Sequence, residues 1–230
     1  AQFGRASAEG FSESHKRFMA HVVRKAETVI EQSFDPMTGL MNSDGFETQL
    51  IESGRSLADS ADPHQLIYFD IDNLQLVNDT FGSDAGDQVL LRFASVLESS
   101  LPRNAVASRL SGDSFAILIT HAKLDDALRV ANAVRAQSER MRYLEGSKSL
   151  QVTVSTGIAS FDKPEPEGGA LTAARIACDA AKDHGRDRIE VHDQDDQSII
   201  RRYDDMQLIT KIQRALDQDE FTLLAQPIVR

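Results

Sequence analysis

The sequence predicts an α/β (α+β) fold, in which helices flank a mixed central β-sheet. Between Asp35 and about His192, short apolar runs of strand length alternate with longer segments of helical periodicity. The dipeptide Gly112-Asp113 separates two of these runs, which is typical of a tight hairpin with its carboxylate at an exposed tip. The acidic group at residues 70–72 ends another run, and ligands of such sheets bind at strand ends.

The composition limits the classes of function. The chain has 230 residues, enough for one well-buried domain with appendages or for two small domains, and its 41% apolar and 27% charged residues are ordinary for a soluble globular protein. A net charge of −11 excludes wrapping of a nucleic-acid polymer but allows a mononucleotide, whose phosphates need few cations. The single cysteine, Cys178, permits no internal disulfide and favours a reducing compartment. Because no apolar run reaches about 18 residues and no signal peptide is visible, we expect a cytoplasmic domain, free or part of an inner-membrane protein.

The N-terminal region, residues 1–34, predicts a long signalling helix. No proline occurs at residues 11–33, and apolar residues recur there at helical spacing: Phe18, Met19, Val22, Val23, Ala26, Val29 and Ile30. Asp35-Pro36 ends the helix, because the residue before proline disfavours helical backbone. The stripe predicts either a helix docked on its own domain or a parallel coiled coil in a homodimer, and both interpretations stay open.

The next elements follow from periodicity. A helix begins after Asn42, with Phe46, Leu50 and Ile51 facing inward. The other predicted helices are residues 87–100, 124–141 and 171–183, and the strands are 66–71, 105–110, 115–120, 151–159 and 188–191. Beyond residue 193, a helix at 197–218 and a strand at 221–228 predict a linker followed by the start of a truncated next domain.

Five motifs occur in order along residues 35–190. They are DPMTGLMN at 35–42, FDID at 69–72, NDTFG at 78–82 with GD at 86–87, SGDSF at 111–115 and AKDHGRDR at 181–188. Their order and spacing resemble the GGDEF domain, the family of diguanylate cyclases that condense two GTP into cyclic di-GMP with magnesium. The resemblance implies a palm-like nucleotide-cyclase fold for residues 35–193.

The tail resembles a different family. Residues 221–228, FTLLAQPI, are similar to the first strand of EAL domains, the cyclic di-GMP phosphodiesterases. We therefore expect that residues 194–230 hold a linker helix and the start of an EAL domain, in a tandem GGDEF–EAL parent. The phosphodiesterase metal ligands would lie beyond Arg230, so this chain is not expected to hydrolyse cyclic di-GMP.

The resemblance to GGDEF domains implies a magnesium site. Asp70 and Asp113 correspond to the family's metal-binding carboxylates, and the Ile71 carbonyl is a further candidate ligand. Asp113 is also the candidate catalytic residue of the signature. From the residues alone, Asp70 could instead cap a loop and Asp113 could fill a turn.

The resemblance also implies a site for GTP. Asn78 and Asp87 fall where the family reads the guanine edge, and their side chains have the matching donors and acceptors. Lys182 and Arg186 match the phosphate contacts and, four residues apart at a helix end, share a face. The alternatives are turn and cap hydrogen bonds for the first pair and solvated surface cations for the second.

The signature departs from the family pattern. Gly112, Asp113 and Phe115 match, but Ser114 replaces a glutamate and Ser111 replaces the first glycine. Gln75 also replaces a family lysine, and residues 102–105, PRNA, lack the R-x-x-D motif of product inhibition. Loss of one group that stabilises developing charge costs about 10²–10³ in rate. The resemblance therefore implies that binding groups are retained while turnover groups are depleted.

Three functions are compatible with this pattern. The first is a catalytically degenerate GGDEF domain that binds GTP and regulates an adjoining EAL domain. The alternative is an active or weakly active diguanylate cyclase, and the third possibility is a dimerisation domain that binds no nucleotide.

Overall fold

The computed structural model describes residues 12–57, 62–145, 148–163 and 169–192. Its helices are α1 (Glu13–Ser33), α2 (Ser43–Ser56), α3 (Leu74–Phe81), α4 (Ser83–Ser100), α5 (Leu124–Ser138) and α6 (Gly169–Asp183). Its strands are β1 (His64–Ile71), β2 (Ala105–Ser111), β3 (Ser114–Ile119), β4 (Arg142–Glu145), β5 (Lys148–Gln151), β6 (Val154–Phe161) and β7 (Ile189–Val191).

A five-stranded mixed sheet in the order β2-β3-β1-β6-β7 forms the centre of the fold. Strand β1 is antiparallel to both β3 and β6, whereas β6 and β7 are parallel. All eight residues of β1 are buried, because helices cover both faces of the sheet. The predicted fold class, a mixed sheet flanked by helices, is confirmed.

Alternate residues of the strands build two hydrophobic cores, one on each face of the sheet. On one face Phe69 and Phe115 pack with Phe93 of α4, and α3 and α5 complete this layer. On the other face Leu66 and Leu118 pack with residues of α2 and α6. Each large side chain that is fully buried stabilises the fold by roughly 1.5–3 kcal/mol.

The hairpin between β2 and β3 is confirmed. Its loop is Gly112-Asp113, and Gly112 has φ +48°, a backbone region that glycine enters without steric cost. Asp113, however, is half-buried rather than exposed as predicted. The end of β1 lies beside the turn and covers part of Asp113, since the Ile71 N–H donates to the Asp113 carbonyl at 3.1 Å.

Several sequence-based predictions of elements were wrong. Helix α5 ends at Ser138 rather than residue 141, and the β4–β5 hairpin follows where no strand was predicted before residue 151. Helix α3 was also not predicted. The elements that the sequence did not predict, α3, β4 and β5, have eight residues or fewer, which is too short to show a clear period. The side chain of Ile51, predicted to face inward, is 42% exposed, because α2 contacts the sheet through Phe46 instead.

The apolar residues of α1 whose side chains the structure describes are open to solvent. The exposed fractions are 65% for Phe18, 55% for Met19 and 57% for Ile30, so these side chains do not dock on the domain. In the part of the chain that the structure describes, no helix combines the length and apolar character that a membrane crossing requires. The helix predicted at 197–218 and the strand predicted at 221–228 lie outside the described residues.

Candidate functional site

The centre of the candidate site is the end of β1 against the β2–β3 hairpin. In the antiparallel register Asp70 lies opposite Ser114. The Ser114 hydroxyl donates a hydrogen bond to Asp70 Oδ2 at 3.3 Å. Asp70, Ile71 and Asp113 therefore lie together where the end of β1 meets the hairpin, a place called the acidic edge below, and Ser114 lies opposite Asp70.

A lysine from α6 already neutralises Asp70. Lys182 Nζ lies 2.8 Å from Asp70 Oδ2, in an ion pair whose side chains are 30% and 11% exposed. Burial raises the pKa of Asp70, and the nearby charge of Asp113 adds to this, while Lys182 and Ser114 oppose it. Burial alone would lower the pKa of Lys182, but the Asp70 carboxylate outweighs burial and raises it. The ammonium group is thus charged and placed at the acidic edge.

Asp72, the second aspartate of the FDID motif, is buried and holds neighbouring segments together by hydrogen bonds. Its side chain is completely buried, and its oxygens accept hydrogen bonds from Thr153 at 2.8 Å and Ser155 at 2.7 Å. The backbone N–H of Asp187 donates a third, at 3.2 Å. Asp72 therefore links the end of β1 to the start of β6 and to the segment after α6.

Arg186 does not lie on a helix, contrary to the prediction that it shares a helical face with Lys182. Helix α6 ends at Asp183, because Gly185 and Arg186 close it with bonds from their N–H groups to Lys182 and Ala181. Arg186 has φ +63°, its side chain is 51% exposed, and Nε lies 4.0 Å from Asp72 Oδ1. The tertiary turn, rather than helical spacing, places this cation near the acidic edge.

The predicted guanine-binding pair lies at the junction of α3 and α4. Asn78 is on α3, and its Oδ1 is buried without a hydrogen-bond partner. A Cβ at position 86 would lie 1.9 Å from Asn78 Oδ1, so the Asn78 side chain is in contact with Gly86 of α4. Asp87, half-buried, is the next residue of that helix. The structure therefore brings Asn78 and Asp87 to the same junction.

The DPMTGLMN motif is connected to the signature turn, Gly112-Asp113, through the side chain of Arg109. The Asp35 carboxylate accepts hydrogen bonds from the Thr38 N–H at 2.8 Å and hydroxyl at 2.7 Å, and Arg109 Nη1 lies 3.4 Å from it. Burial opposes ionisation of Asp35, but these bonds outweigh it and lower its pKa. Arg109 also donates from Nε and Nη2 to the Gly112 carbonyl, at 3.1 and 2.9 Å.

The residues that depart from the family pattern are placed as follows. Ser111 is exposed and lines an open cavity of about 410 Å³ between the turn and the start of α2. Gln75, where the resemblance implies a lysine, donates from Nε2 to Asp79 Oδ1 at 2.8 Å on the surface of α3. Ser114 is only 7% exposed. A glutamate at position 114 would thus meet the Asp70 carboxylate at the sheet edge.

The donors at this edge fit a metal only together with a ligand. No group of three His, Cys, Asp or Glu side chains suited to a metal ion occurs among the described residues. Asp70 and Asp113 with the Ile71 carbonyl are hard oxygen donors, but Mg²⁺ requires about six oxygens. Phosphate oxygens and waters would have to supply the rest. The residues therefore fit a Mg²⁺ ion that is shared with a triphosphate.

The sequence did not predict the residues that hold Asp72 and Asp187 in place. Arg135 of α5 forms an ion pair with Asp187, with Nε 2.9 Å from Oδ1, and Thr153 and Ser155 bind Asp72. The only available signal was the short polar alternation Thr153–Ser155 at the start of a strand. No pattern in α5 distinguishes Arg135 from Arg129, the other arginine of that helix.

Comparison with known proteins identifies the family. The family profile "Diguanylate cyclase, GGDEF domain" matches residues 32–188, and the chain therefore belongs to the GGDEF domain family. It is 30% identical over 200 residues to the cyclic di-GMP phosphodiesterase PdeB of Shewanella oneidensis, covering 85% of this chain and 22% of that protein. The chain spans less than half of the length of the curated relatives that it matches.

Two solved structures of the family are similar. The coiled coil and GGDEF domain of DgcB from Caulobacter crescentus, in complex with c-di-GMP, superposes with a TM-score of 0.68 at 26% identity. The match covers 76% of this chain and 96% of that chain. The diguanylate cyclase SiaD of Pseudomonas aeruginosa, in complex with its activator SiaC, superposes with a TM-score of 0.67 at 28% identity, covering 76% and 68%.

Proposed function

We propose that this chain is a regulatory GGDEF domain of cyclic di-GMP signalling that binds GTP and has lost most of its cyclase turnover. The observation that carries the proposal is the buried Asn78 Oδ1, which has no hydrogen-bond partner. An unpaired buried acceptor costs roughly 1–3 kcal/mol. A turn of the Asn78 side-chain amide toward a guanine N–H donor at this junction, with Asp87 as second acceptor, would remove that cost.

The acidic edge and its cations support binding of the phosphates. Lys182 and Arg186 supply positive charge beside Asp70 and Asp72. Asp70, Asp113 and the Ile71 carbonyl would hold Mg²⁺ together with the triphosphate. When bound, the metal would neutralise phosphate charge, while this chain's own residues orient the nucleotide.

The environment of Ser114 and Gln75 supports depleted turnover. The Ser114 hydroxyl donates a hydrogen bond to Asp70, and the Gln75 amide donates a hydrogen bond to Asp79 on the surface. Each lost group would reduce the rate about 10²–10³-fold. Weak cyclase activity is the second candidate function, because Asp70 and Asp113 remain side by side.

Regulation would pass through the rest of the parent protein. We propose residues 1–34 as a signalling helix that forms a homodimer, 35–193 as the GTP-binding domain, and 194–230 as a linker and the start of an EAL domain. The phosphodiesterase relative PdeB, of which this chain covers 22%, supports a larger parent protein. GTP binding that favours one state of the domain would then change the activity of its neighbour by linkage.

A titration tests the nucleotide proposal. Calorimetry with GTP, with and without Mg²⁺, should show binding by the wild-type chain that Asn78→Ala weakens at least tenfold. Arg92→Ala, an exposed change on α4, is the matched control and should bind GTP as the wild type does. If the wild-type chain gives no heat and no thermal shift at millimolar GTP, the domain is an interaction module instead.

A second assay separates regulation from catalysis. The wild-type chain, incubated with GTP and Mg²⁺, should form little or no cyclic di-GMP by mass spectrometry. Rapid product formation would contradict the regulatory assignment. The Ser114→Glu, Gln75→Lys double variant should form more product than the wild type, because it restores both groups that the family pattern contains.

A further inference from the structure

The turn after α6 has a strained backbone. Three consecutive residues, Gly185, Arg186 and Asp187, have φ values of +113°, +63° and +46°. Glycine adopts such values freely, but for Arg186 and Asp187 they are unfavourable. Strained residues of this kind persist where the surrounding structure holds them, and they cluster at functional sites.

Asp72 holds the turn from the side of the sheet. It accepts the Asp187 N–H at 3.2 Å, and its own orientation is locked by Thr153 and Ser155. Because the Asp72 side chain is completely buried, water does not compete for these bonds. The position of the Asp187 backbone is therefore tied to the end of β1.

Arg135 holds the turn from the side of α5. Its Nε donates to the Asp187 carbonyl at 3.0 Å and to Oδ1 at 2.9 Å, and Nη2 lies 3.4 Å from Oδ2. Glu139, the residue that follows the end of α5, fixes the guanidinium with a 3.0 Å contact to Nη2. Backbone and side chain of Asp187 are thus bound by one arginine.

The two supports fix the backbone of the turn, while the side chain of Arg186 makes only a long contact with one of them, from Nε to Asp72 Oδ1 at 4.0 Å, among the described residues. The Arg186 backbone N–H is bound to Ala181 at 2.9 Å, next to Lys182, while half of its side chain is exposed. We propose that Asp72 and Arg135 are positioning residues, which hold the left-handed turn 185–187 so that Arg186 meets the phosphates of a nucleoside triphosphate beside Lys182. This inference rests on the proposed GTP site and adds the residues that set its phosphate end.

Arg135→Gln tests the inference, because Arg135 lies outside the core and the variant should fold. Hydrogen exchange should show the Asp187 amide protected in the wild type and unprotected in the variant. GTP affinity should fall about tenfold, whereas guanosine, which lacks phosphates, should bind equally to both proteins. Arg129→Gln removes an arginine from the same helix and should change neither exchange nor affinity. Asp72→Asn should act like Arg135→Gln.

The other outcomes overturn the inference in distinguishable ways. If Arg135→Gln loses protection of the Asp187 amide but binds GTP like the wild type, the turn does not position Arg186. If GTP and guanosine weaken equally, Arg135 has a merely structural role. If the wild type itself binds neither GTP nor guanosine, the proposed function fails, and the positioning role fails with it.

Discussion

Asn78 and Gly86 form a contact in which neither residue can be exchanged freely. The side-chain oxygen Oδ1 of Asn78 occupies the space where any side chain at position 86 would begin. It lies 1.9 Å from an ideal Cβ at that position. The glycine also lies at the end of the first turn of α4, where alanine has the higher helix propensity by up to about 1 kcal/mol. The lower helix propensity of glycine is explained if ligand binding requires the close approach of Asn78 to α4, because only glycine leaves room for that approach.

Gly86→Ala is therefore expected to act on binding more than on folding. The new methyl group should displace the Asn78 side chain and weaken GTP binding at least tenfold. Stability should change little, because gained helix propensity offsets part of the clash. Calorimetric titration measures the affinity, with Ser83→Ala at the start of α4 as control. Unchanged affinity would mean that Asn78 does not contact the guanine.

His64 is a buried residue that should make stability depend on pH. Its ring Nδ1 accepts from the His121 backbone N–H at 3.0 Å, and Nε2 lies 3.0 Å from the Ser53 carbonyl, which suits a neutral ring. Burial lowers the pKa of His64 below its ordinary 6.5, although hydrogen bonds to backbone carbonyls oppose this shift. Its neutral form is therefore favoured in the folded state.

Acidification should consequently destabilise the wild type through His64. Because the folded pKa is depressed, the stability it contributes is complete above pH 6.5 and is lost as pH falls toward the folded pKa. The loss for one proton is up to about 1.4 kcal/mol per pH unit. Urea unfolding between pH 7.5 and about 5 measures it, and His64→Gln should show a flatter profile. Equal slopes would contradict the assignment.

At the scale of elements, Arg109 of β2 joins the end of α1 to the signature turn. One guanidinium binds the Gly112 carbonyl and the Asp35 carboxylate, while Asp35 itself orders the Thr38 turn. The segment between α1 and α2 and the β2–β3 hairpin are thus one packed unit. A change in the direction of α1 has a direct physical route to the hairpin.

Arg109→Met should loosen that unit. The variant loses charge-assisted bonds at a side chain that is only 13% exposed, and we expect a loss of about 2 kcal/mol in unfolding free energy. Exchange of amides in the signature turn should also accelerate. Arg103→Met, an exposed change just before β2, should stay within about 0.5 kcal/mol. If both variants unfold alike, Arg109 does not connect the two elements.

At the scale of the whole molecule, the open face of α1 is the main surface without a partner in the described chain. Phe18, Met19, Val22 and Val23 are each more than 40% exposed on one helix. A contiguous apolar surface of this kind is typical of an interaction site. This exposed apolar face is the surface through which the proposed homodimer would form.

Charges on that face should prevent association. Sedimentation equilibrium of the wild-type chain should give about twice the monomer mass of 25.4 kDa, and Met19→Lys, Val23→Lys should give the monomer mass. Arg17→Ala, on the same helix, should leave the mass unchanged. A wild type that remains monomeric at high concentration would exclude dimerisation through α1.

Motif order and hydrophobic periodicity were sufficient for the fold class, the long elements of the described residues, the hairpin and the family resemblance. Helices, strands and motifs depend on residues that are close in sequence, so the spacing of apolar residues along the chain predicts them. The environment of the site depends on contacts between distant residues. Asp72 binds Asp187 across 115 positions and Ser155 across 83, while Ser114 reaches Asp70 across 44. Strand register and the turn after α6 bring these groups together, and no local pattern encodes such pairs.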